Sequence, residues 1–237
     1  MKKKSHLLTI AEPVECIIIS RQNRFVVSVE VNGENYRAST NNTGRLEQFI
    51  ITGRKAFCIS HSKSMKTDFR LFAIEEGQQA AIIDTRLQMQ AFEIALEKLL
   101  IPWLNGYRMV KRDAQLGQSR IDYLLKNNSQ KLYLEAKSAV LRDGHYAMYP
   151  DCPTARGRKH IAELTGLIRS GGQATILFLA ALPNVSAFKP SWEGDPQLCQ
   201  LLLVADKAGL ELRSLGLTYD PKDAGIYLYN PDLPIEL

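Results

Sequence analysis

Ser119-Arg-Ile-Asp-Tyr-Leu-Leu125 and, beyond a polar turn, Lys131-Leu-Tyr-Leu-Glu-Ala-Lys137 decide how the chain is read. Both segments alternate, which predicts two strands of a hairpin. With the turn centred between Asn128 and Ser129, Ile121 faces Ala136, Tyr123 faces Leu134 and Leu125 faces Leu132. One side of the pair is then wholly apolar or aromatic, which supports the register. On the other side Asp122 falls opposite Glu135, with Lys137 two residues on. A turn shifted by one residue would send Asp122 to the other side. Two carboxylates facing across a ladder repel, and a divalent cation relieves that cost. Mg²⁺ (or Mn²⁺) suits one or two carboxylates plus water and phosphate oxygens. The pattern therefore predicts a metal held by Asp122 and Glu135, with the Ala136 carbonyl as third ligand. Lys137 would act on water or on developing phosphate charge. The competing reading is an exposed strand face carrying a Glu–Lys pair and no ion.

Working outward, residues 80–237 alternate between helix and strand. A helix is predicted over Arg86–Leu100, with Met89, Phe92, Leu96 and Leu99 on one stripe. Another runs from Thr154 as N-cap to Gly171 as C′, and a third opens at Asp195-Pro196 and closes at Gly209. Ala174–Leu182 is almost wholly apolar, as in the buried centre of a sheet. Strands at Leu210–Leu217 and Ile226–Tyr229 follow. Residues 1–79 read as β. Val14–Ser20 is apolar, and Phe25, Val27, Val29 and Val31 alternate onto one face. Asn32-Gly33 marks a tight hairpin, because both turn positions need positive φ. After Asn41-Asn42-Thr43-Gly44 comes one helical turn at Leu46–Ile50, then strands at Ala56–Ser60 and Phe69–Ile74. Five short strands with a helical turn between the third and fourth match a five-stranded OB-like barrel. The expectation is a mixed α/β chain, with a barrel in 1–79 and an α/β domain in 80–237.

Glu93 sits at the edge of the first helix's stripe, where a glutamate snorkels or points at charge. Thr154-Ala-Arg-Gly-Arg-Lys-His160 crowds cations into a helix's first turns, against the macrodipole, with a glycine at 157. Phosphate at backbone N–H groups, Arg156 and Lys159 would explain it; a frayed, solvated turn is the alternative. His145 and His160 have no second ligand at metal spacing. The net charge is +5, and residues 1–79 hold 12 Lys+Arg against 8 Asp+Glu, although Lys2, Lys3 and Lys4 supply much of that excess. Such a balance favours an anionic partner. Cys16, Cys58, Cys152 and Cys199 form no C-x-x-C pair, so free thiols in the cytoplasm are expected. Neither Leu7–Ala11 nor Ile176–Leu182 is long enough for a signal core or a membrane span of roughly 20 residues. A cytoplasmic protein without membrane contact is the expectation.

At these residues the chain resembles the sugar fermentation stimulation protein A family. Arg21-Gln-Asn-Arg-Phe-Val-Val27, Asn42-Thr-Gly-Arg45, Ser119-Arg-Ile-Asp-Tyr123, Leu134-Glu-Ala-Lys-Ser138 and Tyr149-Pro-Asp-Cys-Pro-Thr-Ala-Arg-Gly157 carry the resemblance. It implies an OB-like DNA-binding domain followed by a restriction-endonuclease-like domain of the PD-(D/E)xK class. It also implies sequence-nonspecific DNA binding and a role in regulating sugar (maltose) metabolism. Carried across, Asp122 and Glu135-Ala136-Lys137 are the signature and Glu93 is the helix carboxylate; Arg21, Arg24, Arg45, Arg156 and Lys159 are the candidate DNA contacts. Where the family shows His and Pro, Ser39 and Asn41 stand here, and its Asn-Thr before the first helix is Asp84-Thr85. Two functions stay open: a metal-dependent DNA nuclease, or a non-catalytic DNA-binding regulator. The oligomeric state is open as well, a homodimer included.

Overall fold

The computed structural model describes residues 4–61 and 66–237; Lys2 and Lys3 lie outside them. The barrel is built from β2 (Val14–Asn23), β3 (Val26–Val31), β4 (Glu34–Ser39), β5 (Lys55–Ser60) and β6 (Phe69–Glu76). Antiparallel pairs run β4-β3-β2-β5-β6, and a parallel pairing of Ala38 with Phe69 and Ser39 with Arg70 closes the ring. Val27, Val29 and Val31 fill its interior. Asn32 and Gly33 both take positive φ, 52° and 83°, as the β3–β4 hairpin requires. Leu46–Ile50 is a single turn between β4 and β5, closed by Ile50 N–H to the Leu46 carbonyl at 2.9 Å. The alternation that put Phe25 on the core face fails at that residue: Phe25 lies in the β2–β3 turn and is 52% exposed.

The second half centres on β8 (Arg108–Leu116), β9 (Ser119–Lys126), β10 (Lys131–Ser138), β13 (Ala174–Ala180) and β15 (Glu211–Asp220), hydrogen-bonded in the order β8-β9-β10-β13-β15. β13 is parallel to both neighbours and buried throughout. Helix α1 (Thr85–Glu97) is capped by Asp84, whose carboxylate accepts Leu87 N–H at 2.9 Å. Helix α2 (Ala155–Arg169) is capped by Thr154 and α3 (Pro196–Lys207) by Asp195, as their sequences predict. The ring of Phe92 on α1 meets Tyr123 on β9 at 5.2 Å, so α1 covers the apolar face of the hairpin. His160 on α2 reaches Glu135, so α2 covers the opposite face. A small second sheet, β11 (Leu141–Asp143), β12 (Tyr146–Tyr149) and β14 (Ala187–Pro190), stands beside them. The fold is therefore mixed α/β, a closed five-stranded OB-like barrel followed by an α/β domain.

Two findings depart from the sequence reading. The first helix stops at Glu97, and Leu99 is 65% exposed at positive φ rather than part of the stripe. The first strand, β1 (Ser5–Thr9), pairs with β16 (Gly225–Asn230) at the far end of the chain. β7 (Gln79–Ile82) joins β6 to β15, so barrel and α/β domain share one continuous sheet. At that junction Tyr219 packs edge-on against Phe57 and Phe72, with ring centroids 5.2 and 4.9 Å away. Among the described residues no helix is long and apolar enough to cross a membrane.

Candidate active site

The β9–β10 hairpin turns at Asn127, whose side-chain oxygen accepts the N–H groups of Ser129 at 3.1 Å and Gln130 at 2.8 Å. This Asx-type turn sets the predicted register: Leu132 pairs with Leu125 and Leu134 with Tyr123. One step further the ladder gives way to side chains. Asp122 N–H donates to Glu135 Oε2 at 3.2 Å, and Ala136 N–H donates to Asp122 Oδ2 at 2.8 Å. The opposed carboxylates thus each accept a backbone donor from the other strand. Lys137 Nζ donates to Glu135 Oε1 at 2.6 Å, and His160 Nδ1 lies 2.5 Å from the same oxygen. A carboxylate can only accept, so His160 carries the hydrogen on Nδ1.

Burial opposes ionisation of Glu135, but Lys137 and His160 outweigh it and hold its pKa below the ordinary carboxylate value. Asp122 has the reverse balance. Burial and the Glu135 charge push its pKa up to about 6 against the pull of Lys137, Ala136 N–H and His160. Burial also works against the Lys137 ammonium, yet Glu135, Tyr149 and Asp122 keep it charged. A carboxylate offers about four acceptor sites. Glu135 uses three and Asp122 one, so the pair keeps capacity to bind a cation. Among the described residues no group of three or more His, Cys, Asp or Glu side chains is placed to share an ion. What this site offers is a carboxylate pair beside open space, which fits a hard, partly hydrated ion such as Mg²⁺.

The pair lies in a cleft of about 530 Å³ between the two halves, lined also by Arg24, Asn42, Tyr149, Asp151 and Arg156. The barrel loop Asn41–Leu46 is pinned there by buried polar contacts. Asn42 Nδ2 donates to the Ile83 carbonyl at 3.1 Å, and Asp151 accepts Leu46 N–H at 3.1 Å. Asn41 donates to Asp84 at 2.8 Å and accepts Thr85 N–H at 2.9 Å, tying the loop to the cap of α1. Ser39 Oγ contacts His61 Nε2 at 3.0 Å. Gly157 is explained by close approach: a Cβ there would stand 2.7 Å from Thr154 and 2.9 Å from the Tyr149 hydroxyl.

The other predicted residues divide. Arg24 and Arg156 line the cleft, and Arg45 is exposed on the barrel loop; none has a carboxylate partner among the described residues. Arg21 is spent on structure, its guanidinium bound to the carbonyls of Asn23, Arg24, Gly44 and Arg45. Lys159 donates to the Gln118 carbonyl at 3.2 Å and does not line the cleft. Glu93 is not brought to Asp122. It is buried on the α1 side, accepting from the Tyr123 hydroxyl at 2.9 Å and paired with Arg112. His160 is the residue that sequence reasoning passed over, because its partner is a glutamate two elements away rather than a second ligand in local spacing.

The family model described as the sugar fermentation stimulation protein RE domain matches residues 86–223, and the model of its N-terminal OB domain matches 19–83. The chain belongs to the sugar fermentation stimulation protein family. A family homologue from Pyrococcus furiosus is 46% identical, over 98% of this chain and 99% of its own. One from Archaeoglobus fulgidus is 45% identical, over 97% and 98%. The solved structure of the Pyrococcus furiosus family protein in complex with Ca²⁺ superimposes with a TM-score of 0.94 at 45% identity, covering 98% of this chain and all of that one. Two stretches that carry the family resemblance, Asn42–Arg45 and Tyr149–Gly157, meet across the cleft, where an added Cβ on Gly44 would stand 2.8 Å from Asp151 Oδ1.

Proposed function

We propose that this family member binds DNA without sequence preference and hydrolyses phosphodiesters in the cleft. The observation that carries the reading is the convergence of Asp122, Glu135 and Lys137 on a cleft whose lining brings Arg24 and Arg156. In this reading the barrel of residues 1–79 grips the strand and residues 80–237 carry the reaction. Asp122, Glu135 and the Ala136 carbonyl would hold Mg²⁺ (or Mn²⁺), which supplies water activation and charge neutralisation when bound. The Ca²⁺ complex of the Pyrococcus furiosus relative supports divalent-ion binding. Lys137 presents a buried ammonium beside the carboxylates, suited to stabilise charge growing on a phosphate oxygen. Arg24, Arg156 and the first N–H groups of α2 bind neighbouring phosphates. Because Glu135 is already satisfied by Lys137 and His160, a DNA-binding regulator of sugar metabolism without turnover is the second reading. Incubating the protein with single-stranded, duplex and branched DNA, with Mg²⁺, Mn²⁺ or chelator, separates them. Metal-dependent strand cleavage is expected, and binding without any cleavage leaves the regulator.

A further inference from the structure

The tip of the β2–β3 hairpin breaks the rules of turn chemistry. Tight turns favour Gly, Asn, Asp, Pro or Ser. Here Asn23 pairs with Val26, so the two residues between them are Arg24 and Phe25. The Phe25 ring adds nothing to the barrel core and is 52% exposed, at a turn position that favours small or polar residues. The tip is also rigid. Phe25 N–H donates to Asn23 Oδ1 at 2.9 Å, and its carbonyl accepts Thr40 N–H at 2.9 Å. Arg21 bonds the Arg24 carbonyl at 3.1 Å, and Arg24 Nε bonds the Thr43 carbonyl at 3.0 Å. The Arg24 guanidinium lies 5.9 Å from the Phe25 ring and lines the cleft that holds Asp122. A hydrogen-bonded aromatic tip beside a cation that lines the cleft, without a carboxylate partner among the described residues, matches the two surfaces of a nucleotide: its base and its phosphate. Local rules are broken in this way where function requires it.

We propose that Phe25 is a base-stacking tip, and that the strand held in the cleft is an unpaired stretch of DNA. This rests on the DNA-binding reading above and narrows its substrate class. Stacking on a base inside a continuous duplex first requires unstacking a step, at a cost of about a few kcal/mol, so a base already free is the favoured partner. Stacking on one aromatic is sequence-tolerant, in keeping with binding that reads no bases.

The test is fluorescence anisotropy in chelator, so that no strand is cut, with a labelled single-stranded oligonucleotide and relaxed closed-circular duplex as competitor. Wild type is expected to prefer the single strand. Phe25→Ala should weaken single-strand binding about tenfold, with an unchanged melting temperature because the ring is outside the core. Phe25→Trp should restore affinity, and its emission should be quenched on binding, whereas Phe25→Leu should not restore it. Equal single-strand affinity of wild type and Phe25→Ala overturns the stacking role alone. Efficient competition by the closed duplex overturns the unpaired-strand assignment. Absence of any DNA binding by wild type overturns the underlying function and this inference with it.

Discussion

At the scale of single residues, Asp122 is the group whose environment works against it. Its folded pKa of about 6 lies roughly two units above the ordinary aspartate value. The native state therefore binds the extra proton between about pH 4 and 6, and stability falls as pH rises through that window. At pH 7 the ionised side chain costs about 3 kcal/mol. Asp122→Asn should raise the melting temperature of chelated protein at pH 7.5, with the gain vanishing near pH 4. An equal effect at both pH values would contradict the burial and charge account. The same substitution should abolish divalent-ion binding by calorimetry and metal-dependent cleavage, while chelator-resistant DNA binding survives. Lys137→Ala should keep divalent-ion binding and slow turnover, since in the proposed mechanism the ammonium acts on water or phosphate rather than holding the ion. His160 touches Glu135, so in the proposed metal site it would act through that carboxylate as a positioning residue. His160→Ala should weaken Ca²⁺ binding roughly tenfold or more, and His160→Asn, which keeps a donor, should recover part of it.

At the scale of elements, legibility followed locality. The β9–β10 hairpin was readable because Ile121, Tyr123 and Leu125 mark one face and Asn127 fixes the turn, both within about twenty residues. The caps Thr154 and Asp195 were readable because capping chemistry spans three residues. β8 carries no readable pattern: it is an edge strand whose Arg108, Val110 and Lys111 are exposed, so no apolar alternation announces it. Phe25 was misread because its alternation with Val27 continues straight through a turn. His160 was invisible, since only the packing of α2 over β10 brings it to Glu135. Gly157 looked like a weak helix residue and is a packing necessity instead. Gly157→Ala should therefore destabilise the protein by about 1–3 kcal/mol through overpacking against Thr154, Tyr149 and Leu198, rather than stabilise it as helix propensity alone predicts. Urea denaturation decides the sign.

At the scale of the whole molecule, the sheet crosses from barrel to α/β domain through β7 and β15, and the cleft forms where loops of both halves meet. The first strand belongs physically to the far end of the chain. Leu7 and Ile10 are buried, Ile10 N–H bonds the Ala224 carbonyl at 2.8 Å, and β1 covers the edge of β16 beside α1. No sequence pattern could announce that pairing, because the partners are separated by nearly the full chain and β1 is only five residues long. Removing residues 1–10 takes away two buried aliphatic side chains, each worth about 1.5–3 kcal/mol, and leaves the β16 edge without a partner. The expected loss is about 3–6 kcal/mol in urea denaturation. Its location separates two pictures. If β1 stabilises the α/β domain, native-state hydrogen exchange should accelerate in β16 and α1 while β3 and β5 of the barrel stay protected. If instead the first residues brace the barrel with which the chain order groups them, protection should fall in β3 and β5 first, and the pairing of Ser5 with Leu228 would not matter to stability.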